Sequence, residues 1–585
     1  MLYHLEPQPP PEFFSQNQDF HPALLSILWQ RNVKTREDIE EFLLSRYSTD
    51  LYDPFKFQEM KKTVERLRAA ASKKERVIIY GDYDVDGVTA SILMLEALEK
   101  LYNVSPEPRF GINGSELLSV YLPHREDEGY GLNPGAVSYI KSRGATLLIT
   151  CDCGSGNTEE LTELKLAGID VIILDHHVAP KDRPPCYGFI NPKFEKETYP
   201  FRGLAGCGVV FKVIQALRLS ANKAGLSDTA DESVITEAIE KWSLDLVALA
   251  TVADMMPLVK ENRVLVKWGL VVLNKTKRIG LRALIRGAGL LERKITAEDI
   301  AYALAPRINA AGRLDHANVA FDLLRQNSPE RAEVEANNLN KTNTARQTLT
   351  EKILKEAKKQ VSDQLKNEDK ILVAHNFANP AKRENVWKTG VIGLVAGKLA
   401  KEYNRPSFVI GRANHGLAGS GRSIPGFDLI ASLASVSDLL EKYGGHPQAC
   451  GFTLKSEENP ENAALLFKSR VEEYARDHLS DDLELPETSI SCELPLSGIT
   501  WDLMNAISKL EPFGQENPVP IFLTRGARVL HVRAMGKDNN HCKLAVEQNG
   551  VVCEAVAFRA EDHVKETSEG EIRDLVYTLA VNEWN

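Results

Sequence analysis

The residues best suited to chemistry in this 585-residue chain are acids and imidazoles that directly follow apolar runs. G-D-Y-D-V-D-G carries Asp82, Asp84 and Asp86, and T-C-D-C-G carries Asp152. V-I-I-L-D-H-H carries Asp175, His176 and His177, and T-V-A-D-M-M-P-L carries Asp254. Singly, each acid could be a solvated turn or a helix N-cap. As four strand ends of one parallel sheet they would share the carboxyl edge, where ligands bind in open α/β sheets. Carboxylates packed there repel one another unless cations lie among them. An oxygen-rich set with one or two imidazoles suits Mn2+ or Mg2+, with Zn2+ as a further candidate. Two such ions about 3.5–4 Å apart are the usual apparatus for in-line displacement at phosphorus. A dinuclear metal centre is therefore expected.

The elements that must position these side chains are legible in the pattern. E-R-V-I-I-Y-G-D, A-T-L-L-I-T-C-D and D-V-I-I-L-D-H-H read as strands with their exits, and T-A-S-I-L-M-L-E-A-L-E-K as an amphipathic helix. Strands alternating with helices predict a parallel sheet. Ser328 as N-cap and Pro329 at N1 open a long helix over 328–361 that connects two lobes. The expected domains are a helical lead-in (1–75), a catalytic α/β domain (76–327), the connector helix (328–366), a second α/β domain (367–456), and a linker helix with a small β-barrel (457–585). The clearest hairpin of that barrel is R-G-A-R-V-L-H-V-R-A-M-G-K-D-N-N-H-C-K-L-A-V.

Composition bounds the rest. Hydrophobic residues make up 43% and charged residues 26%, ordinary for a soluble globular protein of several domains. No apolar run reaches the roughly 18 residues that cross a bilayer, and M-L-Y-H-L-E-P-Q-P-P-P-E lacks the regions of a signal peptide. The eight cysteines include no C-x-x-C pair. Free thiols in a reducing cytoplasm are the simplest account. A net charge of −10 argues by composition against a nucleic-acid partner, although a local basic groove can hold a phosphate backbone on an otherwise acidic protein.

In this order, G-D-Y-D-V-D-G, D-C-G, D-H-H and V-A-D-M-M-P-L resemble the motifs of the DHH phosphoesterase superfamily. Y-L-P-H-R-E-D-E-G-Y-G-L, P-R-I-N-A-A-G-R-L, W-K-T-G-V-I-G-L-V-A, S-G-R-S-I-P-G-F-D-L and G-G-H-P-Q-A-C-G-F narrow the resemblance to the RecJ single-strand-specific exonucleases, from about residue 20 to the C-terminus. It implies a two-lobed DHH phosphoesterase core with a parallel sheet, a DHH-associated α/β domain joined by the long helix, and a C-terminal OB-like barrel.

The resemblance also implies roles. Asp82, Asp84, Asp86, Asp152, His176 and Asp254 fall on ligand positions for two divalent ions, Mn2+ or Mg2+, with Asp152 bridging. His177 would face the scissile phosphate or the second metal, and Asp175 would orient its neighbouring imidazole. Catalysis would rest on Asp152, His176 and His177. On the substrate side stand Arg125 and Tyr130 in the strand-guiding loop, and Arg307, Asn309 and Arg313 in P-R-I-N-A-A-G-R. G-L-A-G-S-G-R-S (416–423), with Ser420, Gly421, Arg422 and Ser423, resembles a phosphate nest, and Gly444, Gly445 and His446 read as the hallmark of the DHH-associated domain. Two departures stand out. Lys388 replaces the His usual after Trp in W-H-x-G-V-I-G, and the barrel would continue past Asn585, leaving an open sheet edge.

The implied function is metal-dependent 5′→3′ exonucleolytic hydrolysis of single-stranded DNA to mononucleotides, in DNA repair and recombination. The partners would be a single strand with a 5′ end, a single-strand-binding protein and a helicase, with no membrane, for a cytoplasmic monomer. The alternative is a DHH-type phosphodiesterase acting on oligoribonucleotides or cyclic dinucleotides. A scaffold that has lost its acids is disfavoured, since every acid is present.

Overall fold

The computed structural model describes residues 3–104, 116–223, 235–377, 386–413, 416–455, 459–480, 487–536, 539–560 and 566–582. It divides into two compact units, residues 52–256 with 268–485, and residues 1–51 with 257–267 and 486–585. Among the described residues no helix is long and apolar enough to cross a membrane.

In the larger unit the expected βα alternation is present. Strands β1 (Val77–Gly81), β2 (Leu118–Tyr121), β3 (Leu147–Cys151), β4 (Asp170–Leu174) and β5 (Gly188–Ile190) form one parallel sheet in the order β2-β1-β3-β4-β5. Helix α1 (Val85–Tyr102) follows β1 and packs on it. Ile78, Tyr80, Leu148, Val171 and Ile173 meet residues of helices α2 (Pro134–Ser142) and α3 (Thr158–Leu166) in one buried cluster. Burial of the strands explains their near-continuous apolar sequence. Helices α4 (Gly206–Lys223) and α5 (Leu244–Ala253) pack against α1.

Helix α6 (Ala305–Leu314) leads toward the connector, α7, which runs from Pro329 to Lys366, 38 residues or about 57 Å. Its N-cap is Ser328, whose hydroxyl accepts from Arg331 N at 3.3 Å. The second lobe holds β6 (Leu372–His375), helix α8 (Thr389–Tyr403), β7 (Ser407–Ala413), β8 (Gly416–Arg422), β9 (Leu440–His446) and β10 (Ala449–Leu454). Its sheet order is β9-β10-β8-β7-β6, parallel only between β6 and β7. Phe467 and Val471 of helix α9 (Pro460–His478) close its core against Phe408 and Phe452.

The smaller unit joins the two ends of the chain. Phe13, Leu24, Leu28, Ile39 and Phe42 share one core with Leu503, Leu510 and Phe522, so residues up to 51 are not a separate lead-in. Arg263, 1% exposed, donates to the carbonyls of Phe42, Leu510, Lys509 and Glu511, which ties these segments together. The expected hairpin is present as Phe522–Met535 paired antiparallel with His541–Gln548, in a five-stranded sheet with Cys492–Glu493, Val551–Ala557 and Ile572–Tyr577. Asn585 lies outside the described residues.

Candidate metal centre

The carboxyl ends of β1, β3 and β4 place the acids on one edge. Asp82 and Asp152 each follow the last residue of a strand, and Asp175 begins the exit from β4. Asp84 is the N-cap of α1, accepting from the backbone N–H of Asp86 (2.9 Å) and Gly87 (3.2 Å). Asp86, two residues on in the first turn, accepts from Gly206 N and Cys207 N at 2.7 Å each, at the N-terminus of α4. The start of α4 comes so close that a Cβ at Gly206 would lie 2.7 Å from the Asp152 side chain. Asp152 itself has φ +64°, a left-handed conformation that Asp tolerates better than most residues.

Asp254 corrects one expectation. It is the C-cap of α5, not the end of a strand. Leu244 through Thr251 are all buried, so the helix shows no apolar stripe that would set its period apart from that of a covered strand.

Three groups of ligand atoms each lie within 4.8 Å: Asp82, Asp84 and Asp152; Asp152, His176 and His177; and Asp86, His176 and Asp254. Asp152 belongs to two of them, as a shared carboxylate must. His176 Nε2 stands 3.1 Å from Asp152 Oδ1, 3.4 Å from Asp254 Oδ2 and 3.7 Å from Asp86 Oδ2. Asp82 Oδ1, Asp152 Oδ1 and both ring nitrogens of His176 are buried without a hydrogen-bond partner among the described residues. Buried polar atoms in that state are costly; divalent cations would satisfy the two carboxylate oxygens and the one His176 nitrogen that carries a lone pair, the other bearing the proton of the neutral ring. The residues fit the ions.

Electrostatics agrees. Burial, followed by the charge of Asp84, pushes Asp82 up to about 8 and Asp86 up to about 7. Burial, followed by Asp86 and Asp84, raises Asp254 to about 8. Asp152 is raised well above the carboxylate range by burial and then by Asp86, Asp84, Asp82 and Asp254. His176 is lowered to about 3 by burial and by the charges of His177 and Lys193, leaving a neutral imidazole with a free lone pair. His177 is the opposite case. Burial opposes its charge, but Asp175, 2.9 Å from Nδ1, outweighs burial and raises it to about 9. Burial works against the charge of Asp175 too, yet the His177 hydrogen bond and the two imidazoles hold it below the usual range. Its carboxylate also accepts from Ser155 N (3.0 Å), His176 N (2.7 Å) and His177 N (3.1 Å).

A pH dependence follows. The folded metal-free protein binds protons at Asp82, Asp86, Asp152 and Asp254 more tightly than the unfolded chain, whose aspartates titrate near about 3.9. This contribution to stability is fully present below about pH 4 and is lost as pH rises through about 7 to 8. Cations take the place of those protons, so the gain in Tm on adding Mn2+ should be larger at pH 8 than at pH 5.5. Equal gains in thermal melts at the two pH values contradict this.

On the substrate side the structure gathers some residues and not others. The Arg125 guanidinium lies 4.7 Å from the centre of the Tyr83 ring, and the Tyr130 ring lies 5.0 Å from that of His177. Arg313 donates to Gly390 O at 3.0 Å, and Arg422 donates to Ser420 Oγ (3.1 Å) and Gly421 O (2.7 Å). His446 is exposed. Partial desolvation, then the charges of His177 and Lys193, keep its imidazole below the usual value, which places it on the His177 side. Arg307 does not join them. It donates to Asn340 Oδ1 (2.6 Å) and Ala303 O (2.7 Å) and fastens α6 to α7. Asn309 Oδ1 accepts from Val85 N at 3.1 Å, anchoring α1, and Ser423 Oγ donates to Phe427 O.

The nest expected at 416–423 is also corrected. Gly416–Arg422 is a strand paired on both sides, with β7 and β10. Its glycines make room for rings: a Cβ at Gly419 would lie 2.1 Å from Phe452, and one at Gly421 2.8 Å from Phe408. Gly444 and Gly445 lie in the edge strand β9. Sequence reading passed over Lys193, in I-N-P-K after β5. The strand-end rule that found the acids points to it equally.

A parallel sheet whose carboxyl edge carries this acid and imidazole cluster, followed by a second α/β lobe, places the chain among DHH-type proteins. The DHH family N-terminal domain matches residues 76–251, the DHHA1 domain residues 368–473, and the RecJ OB domain residues 490–585. The Bacillus subtilis protein named single-stranded-DNA-specific exonuclease RecJ is 35% identical over 96% of this chain, which spans 66% of that protein. Its namesake in Dickeya dadantii is 30% identical over 97% of this chain and 94% of its own length. The crystal structure of RecJ from Thermus thermophilus in complex with Mn2+ superposes with a TM-score of 0.79 at 27% identity, covering 100% of this chain and 77% of that one. The chain belongs to the RecJ family.

Proposed function

We propose that this protein is a metal-dependent exonuclease that degrades single-stranded DNA from the 5′ end to mononucleotides. The observation that carries the reading is the Asp152 cluster, where Asp86, Asp152 and Asp254, all held above their usual range, surround a neutral His176. The relatives' shared name supplies the substrate class. When bound, two divalent ions held by Asp82, Asp84, Asp86, Asp152, His176 and Asp254 would supply an acidified water and neutralise the leaving oxygen.

The side chains do the rest. His177, protonated and fixed by Asp175, donates to a non-bridging phosphate oxygen. Tyr130, beside it and 47% exposed, offers a face to the terminal base. Lys193 and His446 add donors around the same phosphate. Arg422 and Ser420, on β8, hold the 5′-terminal phosphate, so the first internucleotide linkage lies at the acids and the product is one nucleotide long. The reading includes a monomer in the cytoplasm, with a helicase and a single-strand-binding protein supplying and holding the strand.

Comparing 5′-phosphoryl and 5′-hydroxyl oligomers tests the end-reading step. Arg422→Ala should weaken use of 5′-phosphoryl ends by about 10–150-fold, the loss of one charge-assisted pair at about 1.5–3 kcal/mol, while slowing turnover of bound strand much less. No preference in the wild type, or full preference in the variant, removes Arg422 from this role.

A further inference from the structure

We propose that Asn191 is a positioning residue for the hydrolysis, one that locks His177 and Lys193 into a single rigid donor pair at the scissile phosphate. The inference rests on the reading that both cations serve that phosphate. Asn191 acts only through them.

Asn191 directly follows β5, so it stands on the same carboxyl edge as the acids, and it is 1% exposed. Its amide is engaged on three sides. Nδ2 donates to His177 O at 3.0 Å and to Ser155 Oγ at 2.9 Å, and Oδ1 accepts from Lys193 N at 2.8 Å. Turning the amide over would set Nδ2 against the Lys193 N–H, so the partners fix its orientation. An asparagine that only closed a turn needs the last of these bonds alone. The other two reach residues 14 and 36 positions away. Ser155 completes the frame, since its N–H donates to Asp175 Oδ2 at 3.0 Å while Asp175 Oδ1 lies 2.9 Å from His177 Nδ1. Asp175 N in turn donates to Ile190 O, at the end of β5, at 3.1 Å. His177 is therefore held twice, at its ring by Asp175 and at its carbonyl by Asn191.

Lys193 is fixed at its backbone and unengaged at its tip. Its neighbour Phe194 is 8% exposed and packs on Phe189 with ring centres 5.3 Å apart, and Phe194 N donates to Asn191 O at 3.2 Å. Among the described residues no ion pair or hydrogen bond is found for the Lys193 ammonium. Its charge reaches the centre all the same. Burial and His177 come first in lowering His176 and His446, and Lys193 follows. At Asp254, raised by burial, Asp86 and Asp84, the charges of His177 and Lys193 work in the opposite direction. The two cations thus bear on the same groups, and one buried amide sets the distance between their backbones. Such preorganisation contributes to rate, because the donors need no rearrangement as charge develops at phosphorus. Without the amide, His177 O and Lys193 N each lose a partner and the two donors drift apart.

A double-mutant cycle tests this, read as kcat on a 5′-phosphoryl single-stranded oligomer with saturating Mn2+, in wild type, Asn191→Ala, Lys193→Ala and the pair. Asn191→Ala should lower kcat about 10–100-fold and change KM by less than about threefold. The loss in the double variant should fall at least about threefold short of the product of the two single losses, since part of what Asn191 does passes through Lys193. Calorimetry with Mn2+ should find the wild-type number of ions at wild-type affinity in Asn191→Ala, not the roughly 10–100-fold loss that follows removal of a ligand's supporting partner. Single losses that multiply in full overturn the inference and leave Asn191 a purely structural residue. A kcat loss matched by lost Mn2+ affinity overturns it as well, by placing Asn191 behind the metal ligands. Lys193→Ala within about twofold of the wild type overturns it while the nuclease reading stands. A wild type that leaves single strands uncut removes both. Should Asn191→Ala not fold, Ser155→Ala takes its place in the cycle, since it removes one Nδ2 acceptor. A smaller loss that again falls short of the product is then expected, and no loss, or full multiplication, overturns the proposal.

Discussion

Asp152→Ala should give a folded protein whose hydrolysis is slower by several orders of magnitude. Asp152 is the carboxylate common to two of the three ligand groups, so its loss would take a ligand from both at once. Electrostatic stabilisation of charge developing at phosphorus is usually the largest catalytic contribution, and it depends here on both ions. The fold should not suffer. Asp152 is buried among Asp82, Asp84, Asp86 and Asp254, whose charges oppose its own, so its removal relieves repulsion. The Tm without metal should therefore stay close to that of the wild type, relieved repulsion offsetting the strain of Ala at φ +64°. Titration calorimetry with Mn2+ should find one site fewer than in the wild type. Near-normal rates with two ions bound would contradict the assignment.

The second large effect concerns salt. Despite the net charge of −10, affinity for single strands should fall steeply as ionic strength rises. Arg125, Arg313 and Arg422 lie near enough to perturb one another's charge, so strand binding releases counterions from the phosphates they neutralise. Three neutralised phosphates give a log–log slope of about −2.1, or about a 20-fold loss of affinity between 50 and 200 mM salt. Fluorescence anisotropy with a labelled oligomer in Ca2+, to suppress hydrolysis, measures it. A slope near zero would mean that the bound partner is not a polyanion.

Much of the fold was legible because its signals are local. The runs before Asp82, Asp152 and Asp175 are covered strands whose β-branched content and length set them apart, and Ser328-Pro329 is a chemical start signal for α7. Asp254 was legible as a ligand but not as a helix cap, since a fully buried helix loses its periodicity. Glycines misled at 416–422, where their cause is distant in sequence: Phe408 and Phe452 occupy the space a Cβ would need. The roles of Arg307 and Asn309 depend on Asn340 and Val85, partners no spacing rule reveals. The joining of residues 1–51 to the C-terminal segment rests on contacts hundreds of residues apart and leaves no local trace.

The most direct test of the central claim follows a single-stranded, 5′-phosphorylated oligomer labelled at either end, with Mn2+ present and with chelator as control. The account predicts that 5′ label appears as mononucleotide from the earliest time points, that 3′ label shortens progressively, that duplex of the same sequence persists, and that chelator stops both reactions. Mononucleotide released first from the 3′ label, or undiminished cleavage in chelator, would contradict it.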